Sequence, residues 1–333
     1  MKNSSSALAA ILEGFFIERL MNQQRVSKET VLAYRDTFRL LLKYAQRELG
    51  KTPSKLFLED LDASLICKFL NYLEEERHNT PRTRNHRLAA IRSFYNYASF
   101  QEPQLSAHIQ RVLAIPSKRY QKREIDFLTV DEVDAILDAI DRSSWIGHRD
   151  HALISLAIHT GLRVSELINL CCSDVTLGGG AYVHCTGKGR KERSTPLGKT
   201  VSEVIEHWLG EWDAKPSDPL FPTRKGKKLS RDTVAYILGK YVSLAERRCL
   251  SLLKKRVSPH VLRHTAAVHL LQAGVDLSVI ALWLGHESLE STQAYMSSDL
   301  TQKIKVLEKT LPISTKPMTF KPDDKLMEFL KAL

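Results

Sequence analysis

Cysteine is scarce in this chain, and its spacing suggests no pairing. Cys67, Cys171, Cys172, Cys185 and Cys249 are odd in number and scattered, and none forms a C-x-x-C step. Such a set argues against a disulfide framework and a thiolate zinc site, and favours a reducing compartment. Long apolar runs are also missing, for nothing approaches the roughly 20 residues of a membrane span. The apolar stretch from Ala7 is interrupted by Glu13, Glu18 and Arg19, with no small-residue cleavage site behind it. No signal peptide and no membrane partner are therefore expected, and the protein is expected in the cytoplasm. Internal repeats and low-complexity tracts are lacking too.

What the chain has in excess is positive charge. Its 49 Lys+Arg outnumber 38 Asp+Glu, giving +11 and a pI near 9.4. A surplus of that size is compatible with a polyanionic partner but does not require one. At 333 residues, with 43% hydrophobic and 26% charged residues, two cored domains fit comfortably.

The first hundred residues read as helices. Val31, Tyr34, Phe38, Leu41, Leu42, Ala45 and Leu49 recur at helical steps between a Ser27 cap and a Gly50 stop. A second helix is predicted near Ala63–Glu76, with Leu65, Phe69, Leu70 and Leu73 inward. A third follows Pro81 with Leu88, Ile91, Phe94, Tyr95 and Ala98, and an earlier one spans about Leu8–Met21. With no strand-like alternation, residues 7–101 are expected to form a helical bundle. The third helix opens on Arg82, Arg84, Asn85, His86 and Arg87; basic charge at a helix N-terminus suits phosphate, although a solvated basic face has the same composition.

Periodicity fades over 102–127. Pro103, Pro116 and the basic string Lys118, Arg119, Lys122 and Arg123 suggest an interdomain linker. A mainly helical second domain is expected over 128–308. It opens on Thr129 before Asp131 and Glu132, and carries one small antiparallel sheet. The runs Tyr182–Cys185 and Arg193–Leu197 flank a basic, glycine-containing turn, the pattern of a β-hairpin. Helices are predicted near 201–212, 231–250, 261–273, 277–284 and 289–296. Residues 309–333 form a proline-punctuated tail ending in a short amphipathic segment, with Leu326, Met327, Phe329, Leu330 and Leu333.

Four segments of the second domain carry reactive side chains. They are His159-Thr160-Gly161-Leu162-Arg163-Val164-Ser165-Glu166, the hairpin tip Thr186-Gly187-Lys188-Gly189-Arg190-Lys191, then Ser258-Pro259-His260-Val261-Leu262-Arg263-His264, and Leu284-Gly285-His286 with Tyr295 nine residues on. Singly, each has a duller explanation: a helix-start charge, a solvated turn, a capping histidine, a packed tyrosine. Glu166 is placed to orient Arg163, or else to pair with it at the surface. Trp283 reads as core. His260, His264 and His269 could be drawn together as a zinc set, but carboxylate or thiolate partners at ligand spacing are missing.

In this order the segments resemble the tyrosine recombinases, the phage-integrase family that includes the Xer-type enzymes. The resemblance spans nearly the whole chain. It implies a core-binding domain, a linker, a catalytic domain, and the catalytic residues Arg163, Lys188, His260, Arg263, His286 and Tyr295. By that reading Tyr295 attacks a phosphodiester, the arginines clamp the phosphate, Lys188 protonates the 5′-hydroxyl, His260 assists Tyr295 and His286 hydrogen-bonds the phosphate. Arg82, Arg84, Arg87, Lys118, Arg119, Arg190 and Lys191 are the candidate DNA contacts. The resemblance further implies duplex DNA as partner, a homotetramer on DNA with a possible second recombinase or accessory protein, a Holliday junction, and no metal, ATP or other cofactor. It also suggests that the tail docks on a neighbouring protomer, the alternative being that it packs on its own domain. The rivals are a mobile-element recombinase or transposase, a topoisomerase, a metal-dependent nuclease, and a DNA-binding regulator that has lost catalysis.

Overall fold

A computed structural model describes residues 8–121, 125–187, 191–286, 290–293 and 295. The chain divides into two compact units, Met1–Lys122 and Arg123–Leu333. It is mainly α-helical, with one small antiparallel sheet among the described residues. None of the described helices is long and apolar enough to cross a membrane.

The first unit contains α1 (Leu8–Gly14), a π-helical segment over Phe15–Gln23, α2 (Lys28–Leu49), α3 (Ala63–Glu75), α4 (Pro81–Gln101) and α5 (Ser106–Leu113). The Ser27 side chain accepts from the Thr30 N–H, and Gly50 closes α2 at φ +66°, a conformation that costs glycine little. Asp62 caps α3 and Thr80 caps α4 in the same way. The inward stripes merge into one core in which Phe15, Leu41, Phe69, Leu70, Phe94 and Tyr95 are fully buried.

Two expectations need correcting here. The bundle does not end at residue 101, because α5 follows and Ile109, Val112 and Ile115 are buried in the same core. Two buried residues in an eight-residue helix, with Ile115 just past its end, are too few to produce a visible period, so the linker reading began too early. The basic cluster on α4 is also not uniformly exposed. Arg84 lies four residues before Leu88 on the inward face; it is 9% exposed and faces Glu74 at 3.5 Å. Lys118 Nζ lies 3.1 Å from the same carboxylate, and Arg87 donates to the Thr37 hydroxyl at 3.4 Å. Arg82 and Arg119 are exposed.

The second unit contains α6 (Val130–Asp138), α7 (Trp145–Thr160), α8 (Val164–Leu167), β1 (Val175–Thr176), β2 (Tyr182–Thr186), β3 (Glu192–Pro196), α9 (Lys199–Gly210), α10 (Arg231–Ala245), α11 (Pro259–Gln272), α12 (Leu277–Leu284) and α13 (Glu290–Gln293). A capping box between Thr129 and Glu132 starts α6. The strands pair antiparallel in the order β1-β2-β3, with Val183 opposite Thr195 and Cys185 opposite Arg193. β1, only two residues long, adds a strand that no sequence alternation could announce.

The helix expected near 231–250 stops at Ala245, and a short 3-10 turn covers Leu250–Lys254. α7 and α11 are buried nearly all round. α7 hides Arg149 and Asp150 along with Leu153, Ile154 and Leu156, and α11 hides Arg263 beside Leu262, Ala267 and Val268. Lys188, Arg190 and the tail 309–333 lie outside the described residues.

Candidate active site

The site forms where three chain segments meet at the C-terminal end of α12. Gly161 ends α7 at φ +63°, and a Cβ there would stand 2.6 Å from Leu284 Cδ2 and 3.1 Å from Ala266 Cβ. Only glycine allows that turn and that approach together. The turn delivers Arg163 as N-cap of α8. Gly285 ends α12 at φ +64°, and a Cβ there would meet Arg193 Nη1 at 2.9 Å. These two glycines let the helix ends and the sheet converge on one small volume.

Two guanidiniums anchor there on consecutive carbonyls. Arg263, 2% exposed, donates from Nη1 to Gly161 O and from Nη2 to Leu284 O, both at 2.7 Å. Arg163 Nη2 donates to Gly285 O at 3.2 Å, and its Nη1 to Glu166 Oε1 at 2.9 Å. Burial, with the charge of Arg163 beside it, pulls the Arg263 guanidinium down to about 10; it stays a cation at neutral pH. Arg163 is the more accessible, its side chain 32% exposed.

Glu166 is the hub of this grouping. The carboxylate, 5% exposed, accepts from the Arg163 backbone N–H at 2.8 Å, from Arg163 Nη1, and from Arg193 Nη2 at 2.7 Å. Burial alone would raise its titration. The hydrogen bonds from Arg193 and the Arg163 backbone outweigh that, and the carboxyl sits below its ordinary range. The arrangement is a buried, three-way clamp rather than a surface pair. Arg193 belongs to it although the sequence reading passed it over. On β3 it shares the inward face with Thr195, two positions on, so the period-2 alternation carried that signal.

Tyr295 lies in this basin, 2% exposed. Its hydroxyl is 3.0 Å from Nδ1 of His264, a contact the sequence reading did not name. His260 is exposed and packs against the His264 ring with centroids 4.3 Å apart. One helical turn separates the two histidines, and the spacing alone could not choose between them. The His286 ring lies nearly parallel to that of Tyr295, centroids 6.3 Å apart, and its Nδ1 is 2.8 Å from the Thr292 hydroxyl. Thr292, fully buried, is a partner that sequence reasoning missed.

Burial and surrounding positive charge set the protonation states. His264 is depressed to about 4 by burial and by His260 and Arg263, and His286 to about 4 by burial and by Arg263 and Arg163. Both are neutral at pH 7. Burial raises the Tyr295 phenol, and the two arginines partly counter it, so the phenol is protonated in this state. Cys185, nearby on β2, is pushed up to about 11 by burial and is no thiolate nucleophile.

His269 does not complete a zinc set with His260 and His264; its Nε2 faces Leu128 O at 2.9 Å. Trp283 is half-buried and packs with the α11–α12 core, as expected of a core residue. Lys191 is exposed, and its carbonyl accepts from the Gly187 N–H at 2.7 Å, which closes the ends of β2 and β3 toward each other.

Residues 126–302 match the phage integrase family, and residues 14–102 match the phage integrase N-terminal SAM-like domain. The chain is 51% identical over 328 residues to y4rC of Sinorhizobium fredii, named as an integrase/recombinase, covering 98% of this chain and 99% of that one. It is 32% identical over 299 residues to the tyrosine recombinase XerC of Pelobacter propionicus, covering 90% and 94%. Among solved structures, the XerH recombinase on palindromic difH, in its post-cleavage complex, shares the fold at TM-score 0.68 and 21% identity, over 90% of this chain and 93% of that one. The Tn1549 transposon integrase with circular-intermediate DNA shares it at TM-score 0.68 and 16% identity, over 90% and 99%. With both domain models matched in order and the likeness running the length of the chain, the protein belongs to the phage integrase family of tyrosine recombinases.

Proposed function

We propose that this chain is a site-specific recombinase that cuts and rejoins duplex DNA through a covalent bond between Tyr295 and a 3′-phosphate. The observation that carries the reading is the convergence of Arg163 and Arg263 on the adjacent carbonyls of Gly285 and Leu284, in the basin that also holds Tyr295, His264 and His286. Two guanidiniums on one side of a cavity suit a phosphodiester, whose non-bridging oxygens gain charge as a fifth oxygen approaches phosphorus.

The Tyr295 oxygen forms the new bond to phosphorus while the bond to the 5′-oxygen breaks. The phenolic proton leaves to a base, and the departing oxygen takes a proton from Lys188 on the hairpin. The phosphotyrosyl ester retains the bond energy, so a 5′-hydroxyl from a second strand reverses the step without ATP. Two arginines and a lysine supply the positive charge that a divalent ion would otherwise bring, so the reaction needs no metal. His264 holds the phenol in the resting state, and the exposed His260 is placed to take its proton once the hydroxyl turns toward the phosphate. His286 donates to the phosphate: with Nδ1 accepting from Thr292, the neutral ring carries its proton on Nε2.

Arg82 and Arg119, together with Lys191 and Arg190, are the proposed backbone contacts on duplex DNA. Arg84, Arg87 and Lys118 contribute through positions already bonded to Glu74 or Thr37. Strand exchange through a four-way junction calls for four protomers on two sites, with the tail 309–333 as the proposed link between neighbours.

A nicked duplex containing a target site tests the proposal. In EDTA and without nucleotide, a covalent protein–DNA adduct is expected, and Tyr295→Phe should abolish it while binding persists. Binding without any adduct would identify a regulator, and cleavage that EDTA abolishes would identify a metal-dependent nuclease.

A further inference from the structure

On the second unit, away from the basin, α7 and the end of α9 bring together His148, His207 and Glu211. One Glu211 oxygen, Oε1, lies 3.5 Å from His148 Nδ1 and 3.4 Å from His207 Nε2. The two imidazole rings are tilted at 43° with centroids 4.9 Å apart, and the three ligand atoms all lie within 4.8 Å of one another. We propose that these three side chains bind a divalent transition-metal ion, zinc by preference, that clips α7 to α9.

The spacing is compatible with a bound ion. A tetrahedral ion with bonds of about 2.0–2.1 Å holds its ligand atoms about 3.3–3.4 Å apart, close to both distances from the glutamate oxygen. His207 and Glu211 are four residues apart and so share one helical face, while His148 reaches across from the first turn of α7. Two imidazoles and one carboxylate leave a fourth position for water or an outside ligand, and nitrogen-rich sites select zinc over magnesium.

The three are also unequally exposed, as an entry route requires. The His148 side chain is 19% exposed, Glu211 33% and His207 66%. Beside them lies a cleft of about 440 Å³ that His148 and His207 help to line with His151, Glu203 and Arg142. Among the described residues that line this cleft Arg142 is the one arginine or lysine, and the Glu203 carboxylate is there to offset it. The clip joins helix ends remote in sequence and touches none of the residues around Tyr295, so its role is structural. α7 is the helix whose far end presents Gly161 and then Arg163.

The test uses the full chain, stripped with a chelator and titrated with Zn²⁺ against a chromophoric competitor while thermal melting is followed. One tight equivalent is expected, with an upward melting shift that Mg²⁺ does not reproduce. Co²⁺ in its place should show the intense visible bands of a tetrahedral site. His207→Ala and Glu211→Gln should melt like the unsubstituted protein in chelator, yet lose affinity by at least the roughly 10–100-fold that outer-shell changes alone cost. Cys171→Ser with Cys172→Ser should bind normally, and adduct formation in EDTA should be unchanged. No tight equivalent, unaltered affinity in the two variants, or uptake that follows the cysteines would each overturn the site.

Discussion

The two units of this molecule are held together by different chemistry. In the first, Phe15 is fully buried among Phe16, Tyr34, Phe38, Phe94 and Tyr97, with ring centroids 5.5–6.2 Å away. In the second, the interior admits more charge: Glu132, Arg149, Asp150, Glu166 and Arg263 are buried among the described residues, against Arg84 and Glu102 in the first. Arg149 and Asp150 pair at 2.6 Å on α7, Tyr241 donates to the other Asp150 oxygen at 3.0 Å, and Arg149 also reaches Pro222 O. Glu132 holds Lys255 at 2.6 Å, and Glu166 holds two arginines. An apolar core needs shape and volume, whereas a charged core needs every partner present. The proposed phosphate site calls for buried, preorganised cations, and Glu166 with its two arginines supplies such a grouping.

The largest expected effect comes from removing one of those cations. Arg263→Ala should slow adduct formation on a nicked substrate by at least about 10²–10³-fold, the usual loss when one anion-stabilising donor is deleted. Single-turnover assays, with circular dichroism to check folding, measure it; a loss below tenfold would reduce Arg263 to scaffolding.

The contrast between the cores predicts the next effect. Asp150→Asn, which changes no volume, should destabilise the second unit by about 3–5 kcal/mol because it strands Arg149. In the first unit it takes deletion of a whole ring, Phe15→Ala, to cost about 3–5 kcal/mol. Urea unfolding gives the sizes, and hydrogen exchange locates them. A loss under about 1 kcal/mol for Asp150→Asn would erase the contrast.

Acidification should weaken the second unit through its histidines. His264 and His286 titrate near 4 in the fold and near 6.5 in the unfolded chain, so between those values the unfolded state binds more protons. Stability should therefore be level above about pH 6.5 and fall as pH drops toward 4. His151 and His159, also depressed by burial, act in the same direction. Melting temperature against pH reads this out, and substituting Asn at both His264 and His286 should flatten part of the slope. An unchanged slope would mean that the basin is already wet.

The smallest effect tests local signals that the two units share. Thr129→Ala at the start of α6 and Ser27→Ala at the start of α2 should each cost about 1 kcal/mol, since each removes one side-chain acceptor from a helix N-terminus. A markedly larger loss at Thr129 would show that its cap also positions Glu132 for Lys255.

Local signals were also the most readable part of the chain. The caps at Ser27 and Thr129, the stop at Gly50 and the stripes of α2, α3 and α4 could be traced because period and capping are properties of neighbouring residues. α5 escaped detection because eight residues give little period, and the inward turn of Arg84 was overlooked because charge was taken as a sign of exposure. In the site, the residue types and their order pointed to Arg163, Arg263, His286 and Tyr295, and the structure gathers all four. The contact of the Tyr295 hydroxyl with His264 was not legible, because His260 and His264 sit one turn apart and helix rotation decides which faces the phenol. Arg193 was passed over because strand alternation reveals which face a side chain takes, but not that Glu166 waits beneath it.

By itself the sequence determined the helical content, the caps and the hairpin, since each depends on residue type and on interactions a few positions long, and its resemblance to a family supplied the proposed set of reactive side chains. Tertiary structure alone decided which of those side chains are buried, which carbonyls anchor the arginines, and which histidine touches Tyr295. Those outcomes rest on contacts between segments distant in the chain, 31 residues apart for His264 with Tyr295 and more than a hundred for Arg263 with Gly161 and Arg163 with Gly285. Burial then set the charges: the same imidazoles that titrate near 6.5 in water are neutral here down to about 4, because packing removed their solvent and placed positive charge, Arg263 in both cases, beside them.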